Sequence, residues 1–172
     1  MLRALALIAC VVSLFGGPAT ASADPAGQGD AVFAIGKCFD PSQPPQQRPG
    51  SLAYNCDTTG VMENMTWTSW GPDGARGTGT DSAVECKPNC AEGPRLFNPI
   101  VVHAWNASAP TSPACPSGVQ FYSDLTIAYP QGVPPWIAPG TTWSPGTDFV
   151  TVDGMPAVHF SGLTPTCAPP GI

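Results

Sequence analysis

Proline and glycine break this chain too often for it to build a helical domain. Twenty-two prolines and 19 glycines are spread over 172 residues, and no window of ten or more residues carries an apolar repeat of helical period. Proline lacks the amide donor that a helix interior needs, and glycine in a helix costs about 1 kcal/mol relative to alanine. Charged residues make up 10% of the chain, too few for the Lys- and Glu-rich outer faces of solvent-exposed helices. A load of Pro and Gly can also mark disorder, but five Trp and a 42% apolar content supply the side chains that disordered segments lack. The reading that remains is a turn-rich, all-β domain.

Short runs between the breakers read as strands: 31–35, 52–56, 61–70, 77–84 and 100–105. In 119–129, Val119, Phe121, Leu125, Ile127 and Tyr129 share one face, while Gln120, Tyr122, Asp124 and Thr126 share the other. That period of two predicts a half-buried strand. Residues 149–152 and 157–160 flank Asp153-Gly154, a pair suited to a two-residue hairpin turn with positive φ. Pro156 then makes the start of the second hairpin strand an edge position. Residues 41–49 read as a proline-rich loop closed by Cys38 and Cys56, and 130–146 as a Pro/Gly-rich loop carrying Trp136 and Trp143. Seven or eight short strands separated by turns predict a small antiparallel β-sandwich or barrel.

The amino terminus predicts export. Arg3 precedes an apolar run over 4–15, Gly16, Gly17 and Pro18 break it, and Ala21-Ser22-Ala23 offers a cleavage site. This order is that of a signal peptide over residues 1–23, leaving one secreted domain at 24–172, of which 130–172 forms a distinct C-terminal part. The run is shorter than the roughly 18–20 residues that span a bilayer, and no later segment approaches that length, so no transmembrane segment is expected. Leu7-Ile8-Ala9-Cys10 resembles a lipoprotein box, but too little apolar core precedes Cys10 for lipid anchoring there to be expected.

Cleavage after Ala23 removes one of seven cysteines and leaves Cys38, Cys56, Cys86, Cys90, Cys115 and Cys167. An even number in an oxidising compartment predicts three disulfides, with nearest-neighbour pairing expected. No thiolate then remains to act as a nucleophile. Cys86 and Cys90, with three residues between them, suit a tight bridge better than a redox pair, and a zinc site would need His103 and His159 as further ligands. No metal and no cofactor are expected.

Other chemistry is narrowed in the same way. Twelve acidic against six basic residues give a net charge of −6, without the basic patch that phosphate backbones require. Nucleic acid is therefore not an expected partner. Gly71, Gly74, Gly77 and Gly79 lack the Lys-Ser/Thr of a phosphate loop and read as turn and bulge glycines. His103 and His159 are the only histidines and no G-x-S-x-G elbow accompanies them, so no catalytic residue is assigned. Asp81 with Glu85, or Asp148 with Asp153, are the acidic pairs that a glycosidase would need to draw on. Trp67 and Trp70 should take opposite faces of one strand, one in the core and the other free. Trp70, Trp136 and Trp143 are thus the candidate ligand-binding residues.

Trp67-Thr68-Ser69-Trp70-Gly71, Ala75-Arg76-Gly77-Thr78-Gly79 and Cys86-Lys87-Pro88-Asn89-Cys90-Ala91-Glu92-Gly93 follow one another. This W-x-x-W-G…A-x-G-x-G…C-x-P-x-C-A-x-G pattern resembles a group of small exported actinobacterial proteins of mycobacterial type. The resemblance covers roughly residues 50–130, implies export and brings no activity with it. The functional expectation is a monomeric, non-enzymatic exported protein that binds a glycan or another cell-envelope component. A small secreted hydrolase with an acidic or histidine site and an inert envelope component are the alternatives.

Overall fold

The computed structural model describes residues 31–167, so the leader expected at 1–23, with Cys10 and the Ala23 cleavage site, lies outside the described residues. Those residues hold strands and no helix: β1 (Val32–Ile35), β2 (Leu52–Ala53), β3 (Gly60–Ser69), β4 (Ala75–Val84), β5 (Arg95–Ser108), β6 (Val119–Ala128), β7 (Thr141–Ser144), β8 (Thr147–Val152) and β9 (Met155–Phe160). No helix among them is long and apolar enough to cross a membrane.

All nine strands belong to one sheet, in the order β2-β3-β4-β5-β6-β9-β8-β7. Every pairing along that path is antiparallel. β6 gives one edge to β5 and divides the other: Val119–Tyr122 pairs with β1 in parallel, and Leu125–Ala128 pairs with β9. The sheet curls strongly. Tyr54, beside β2 at one end of the order, packs its ring 5.9 Å from that of Phe160 on β9. The result is an open half-barrel, one curled sheet rather than the two facing sheets of a sandwich. Its concave face carries the main core, including Met62, Ile100, Val102, Leu125, Ile127, Phe149, Val158 and Phe160. A second, smaller core of Ala34, Val119, Phe121 and Cys167 lies where β1 docks on β6.

The local chemistry of β3 and β4 produces the curl. Registers shift between Glu63 and Thr66 and again between Trp67 and Ser69, and Asn64 takes a left-handed φ of 53°. Such bulges bend a strand and increase its twist. Gly79 lies beneath the first: a Cβ there would stand 2.4 Å from Met65 Sδ and 2.7 Å from the Glu63 carbonyl oxygen. Gly77 lies beneath the Trp67 ring, with 2.8 Å left for a Cβ. Both positions act as bulge glycines.

Three expectations need correction. β7 occupies part of the segment read as loop, because the turn around Gly146 (φ 75°) returns Thr141–Ser144 onto β8. β5 starts at Arg95 rather than near residue 100. Pro99 is tolerated inside it because β6 pairs only from Val101 onward, so at Pro99 the strand has β4 alone as neighbour. β9 is interior along most of its length, but its start is an edge position as expected: Pro156 pairs with Thr151 of β8 and stands just beyond the last β6 partner, Ala128–Ala157, its carbonyl accepting a hydrogen bond from Tyr129 N–H at 2.9 Å. Finally, β6 is buried on both faces, with Tyr122 fully buried and Thr126 5% exposed. The 153–154 hairpin turn forms as expected, both residues having positive φ.

The disulfides are Cys38–Cys56, Cys86–Cys90 and Cys115–Cys167, the nearest-neighbour set. The first ties the segment after β1 to the segment after β2. The second closes the β4–β5 connection, and the third joins the β5–β6 connection to the chain beyond β9.

Candidate functional site

The curl leaves a cleft of about 540 Å³ on the concave side, between the β2 end of the sheet and the β7–β8–β9 end. Its size falls in the range of small-molecule sites, roughly 300–1,000 Å³. Tyr54 and Tyr129 line its floor, Phe149 and Phe160 its wall, and Trp136, Ile137 and Trp143 its lip. The 130–140 segment is held by prolines and by the Ile137 N–H bond to the Pro134 carbonyl. Ile137, 6% exposed, anchors it in the core and leaves Trp136 half-buried beside it. Trp143 projects from β7 with 67% of its surface exposed, its ring centroid 5.9 Å from that of Phe149.

Beneath the floor lies a polar cluster. Asp81 has no exposed surface, and its two carboxylate oxygens accept hydrogen bonds from Tyr54 Oη at 2.8 Å and Tyr129 Oη at 2.9 Å. Burial holds the Asp81 carboxyl above its ordinary range against the opposing effect of these two donors and Arg95. Burial and the neighbouring Asp81 charge push both phenols far above theirs. Arg95 is fixed nearby by Ser82 Oγ and the Ser82 carbonyl, each at 3.0 Å, and by the Thr58 carbonyl at 2.8 Å. Among the described residues no buried side-chain polar atom lacks a partner.

Lys37 enters the cleft from the turn after β1. Its ammonium sits 4.5 Å from the centroid of the Phe160 ring, within reach of a cation–π attraction. Burial lowers its pKa.

Trp136 and Trp143 meet in this cleft, and Trp70 does not. Trp67 and Trp70 do not take opposite faces either. The bulge between Trp67 and Ser69 turns the strand so that the two rings meet edge-on at 4.7 Å. Trp70 also packs on Tyr122 at 5.6 Å and donates its indole N–H to the Phe33 carbonyl at 3.0 Å. Trp67 donates to the Pro49 carbonyl at 2.9 Å. Both indoles therefore join β3 to the segments before it.

The acidic pairs are dispersed. Asp81 is under the floor, while Glu85 is at the rim in an ion pair with Lys87 at 3.3 Å. Asp148 accepts a hydrogen bond from Thr142 Oγ1, and Asp153 is in the hairpin turn. The histidines are on the outer face, since His103 alternates with the core residues Val102 and Ala104, and His159 with Val158 and Phe160. There Trp105 lies stacked between the two imidazoles, at 4.7 Å from His103 and 5.3 Å from His159. His159 Nε2 is 3.0 Å from Asp124 Oδ1. Burial tends to raise the Asp124 carboxyl, but donors from Asn106, Ser123 and His159 together hold it below its ordinary range. Burial, reinforced by Arg76, lowers the pKa of His103. Among the described residues no three His, Cys, Asp or Glu side chains form a metal-ligating group.

Sequence reasoning misses Lys37 and Tyr54 altogether, and takes Tyr129 only as a strand-face residue and Asp81 only as half of an acidic pair. Only Asp81 leaves a sequence signal. Ala75, Gly77, Gly79, Asp81 and Ala83 share one face of β4, and a carboxylate in a row of small residues marks an inward-facing position that needs partners.

No family model, curated protein or solved structure matches the chain.

Proposed function

We propose that the chain is an exported, non-enzymatic binding domain and that the aromatic cleft is where it binds a cell-envelope component. The observation that carries this reading is Trp143: a large apolar side chain, two-thirds exposed, at the mouth of a concave site lined by five further aromatic rings. Aromatic surfaces of this kind bind apolar chains and the C–H faces of sugars, and contribute much of the energy at small-molecule sites. The disulfide-braced β scaffold holds the two lips at fixed separation, which lowers the ordering cost of binding. Export rests on the order of residues 1–23, on the resemblance to small exported actinobacterial proteins, and on three disulfides, which persist in oxidising compartments.

Titration of the purified protein with cell-wall fragments, glycans and envelope lipids, followed by tryptophan fluorescence, tests the reading. A saturable change that Trp143→Ala and Trp136→Ala weaken, and Trp105→Ala leaves intact, is expected. No saturable response to any of these overturns it in favour of an inert component. The intact mass of the exported protein tests the compartment: a chain starting at Asp24 is expected, and a lipid on Cys10 contradicts it.

A hydrolase reading draws on one observation, the His159–Asp124 contact. Turnover of ester, peptide or glycoside substrates that disappears in His159→Ala would put that reading in place of the first.

A further inference from the structure

The cleft contains one cation without an opposite charge to meet it. Asp57 Oδ1 accepts from the N–H and Oγ1 of Thr59, at 2.8 and 2.6 Å. Glu85 and Lys87 pair with each other. Asp81, under the floor, is shared between the two tyrosine hydroxyls. Lys37 is the remaining cation of the cleft, and among the described residues no carboxylate lies within 4.0 Å of its ammonium. Its neighbour is the face of Phe160.

A half-buried ammonium against an aromatic face has lost part of its hydration and gained only the ring quadrupole in return. A ligand anion at this point would supply the missing hydrogen bonds, and charge-assisted bonds of this type are roughly twice as strong as neutral ones. One side of the cleft offers the opposite environment. Phe160, Phe149, Ile137, Trp136 and Trp143 supply apolar surface, while Asn55, Thr59, Ser144 and Thr147 add polar groups to the lining. The tyrosine hydroxyls, the polar atoms nearest the floor, already donate to Asp81.

From this distribution we infer that the ligand is an anionic amphiphile, with its acid group on Lys37 and its apolar body between Phe149 and the two lip tryptophans. The inference rests on the cleft being the binding site and adds the chemistry of its occupant. A neutral glycan would leave the ammonium unanswered. The lowered pKa of Lys37, a consequence of burial, is a cost that an incoming carboxylate relieves.

Calorimetric titration below the micellar range with dodecanoate, dodecanol and a neutral oligosaccharide tests this. Dodecanoate is expected to bind roughly tenfold or more tightly than dodecanol. Lys37→Met, which keeps the stem on Phe160, should erase that difference, while Lys37→Arg should retain it. Equal binding of acid and alcohol, or a difference that survives Lys37→Met, overturns the anionic inference and leaves the cleft reading standing. Binding of the oligosaccharide alone does the same. Silence of all three probes, with no response to envelope lipids or wall fragments either, overturns both. Should Lys37→Met fail to fold, the acid–alcohol comparison on the unmodified protein and on Lys37→Arg decides.

Discussion

At the scale of single residues, Asp81 is the group on which most depends. Its carboxylate has no solvent contact, so each tyrosine hydroxyl that reaches it offsets part of a large desolvation cost. Tyr54→Phe leaves one oxygen without its donor and should cost about 1–3 kcal/mol, read from denaturant unfolding. A loss below a few tenths would show that water replaces the hydroxyl. Asp81 also sets a pH dependence. Its folded pKa lies above the unfolded value, so its contribution is fully present below the unfolded value and is lost as pH rises through the folded one. Asp40, Asp57 and Asp124 are shifted the other way and are common to protein and variant. Thermal melts of the protein and of Asp81→Asn from about pH 4 to about pH 8 isolate the difference. The stability of the unmodified protein relative to the variant should fall as pH rises across that interval, and parallel curves would contradict the assignment.

At the scale of elements, the sequence pattern from Trp67 to Gly93 proves to be a set of instructions for the β3–β4–β5 meander. Trp67 covers Gly77, the bulge at Asn64 covers Gly79, and Gly93 packs so closely on the Glu85 carbonyl that a Cβ would stand 1.8 Å from its oxygen. Gly77→Ala should therefore destabilise by about 1–3 kcal/mol through overpacking against Trp67 and the Thr66 carbonyl, with ligand binding intact once the variant folds. Chemical denaturation and a ligand titration at low temperature separate the two effects, and a neutral substitution would show that Trp67 moves aside freely. The elements readable from sequence were those whose signals are local. Alternation placed β6, and Asp153-Gly154 placed the turn between β8 and β9. β7 was not readable, since Thr141–Ser144 is exposed along its whole length and shows no buried face. Pro156 marked an edge position correctly, because a residue without an N–H falls where the β6 ladder has ended. The cleft was half readable: loop tryptophans signal exposed aromatic surface, but Lys37 and Tyr54 come from segments that meet the lip only once the sheet has curled.

At the scale of the whole molecule, the bridges divide the work unequally. Loop closure makes the Cys115–Cys167 bridge, spanning 52 residues, worth about 4 kcal/mol, the Cys38–Cys56 bridge, spanning 18, about 3, and the Cys86–Cys90 bridge, spanning 4, about 2. Cys86 and Cys90 are exposed, while Cys167 is buried in the smaller core. Under limiting reductant, alkylation followed by mass mapping should find Cys86 and Cys90 labelled first with the fold retained and the melting temperature lowered by roughly 4–8 °C, and Cys115 and Cys167 labelled last, together with unfolding. Early labelling of Cys167 would contradict this order. The arrangement of β1 has a consequence for assembly. Among the described residues Val32–Ile35 is the first strand to be synthesised, yet its place is the edge of β6 that β9 leaves open, and that edge does not exist until Val119–Tyr122 has been made. The oldest strand is thus a latecomer to the sheet, four residues of apolar chain waiting on a partner, with the Cys38–Cys56 bridge as the tether that keeps it close by.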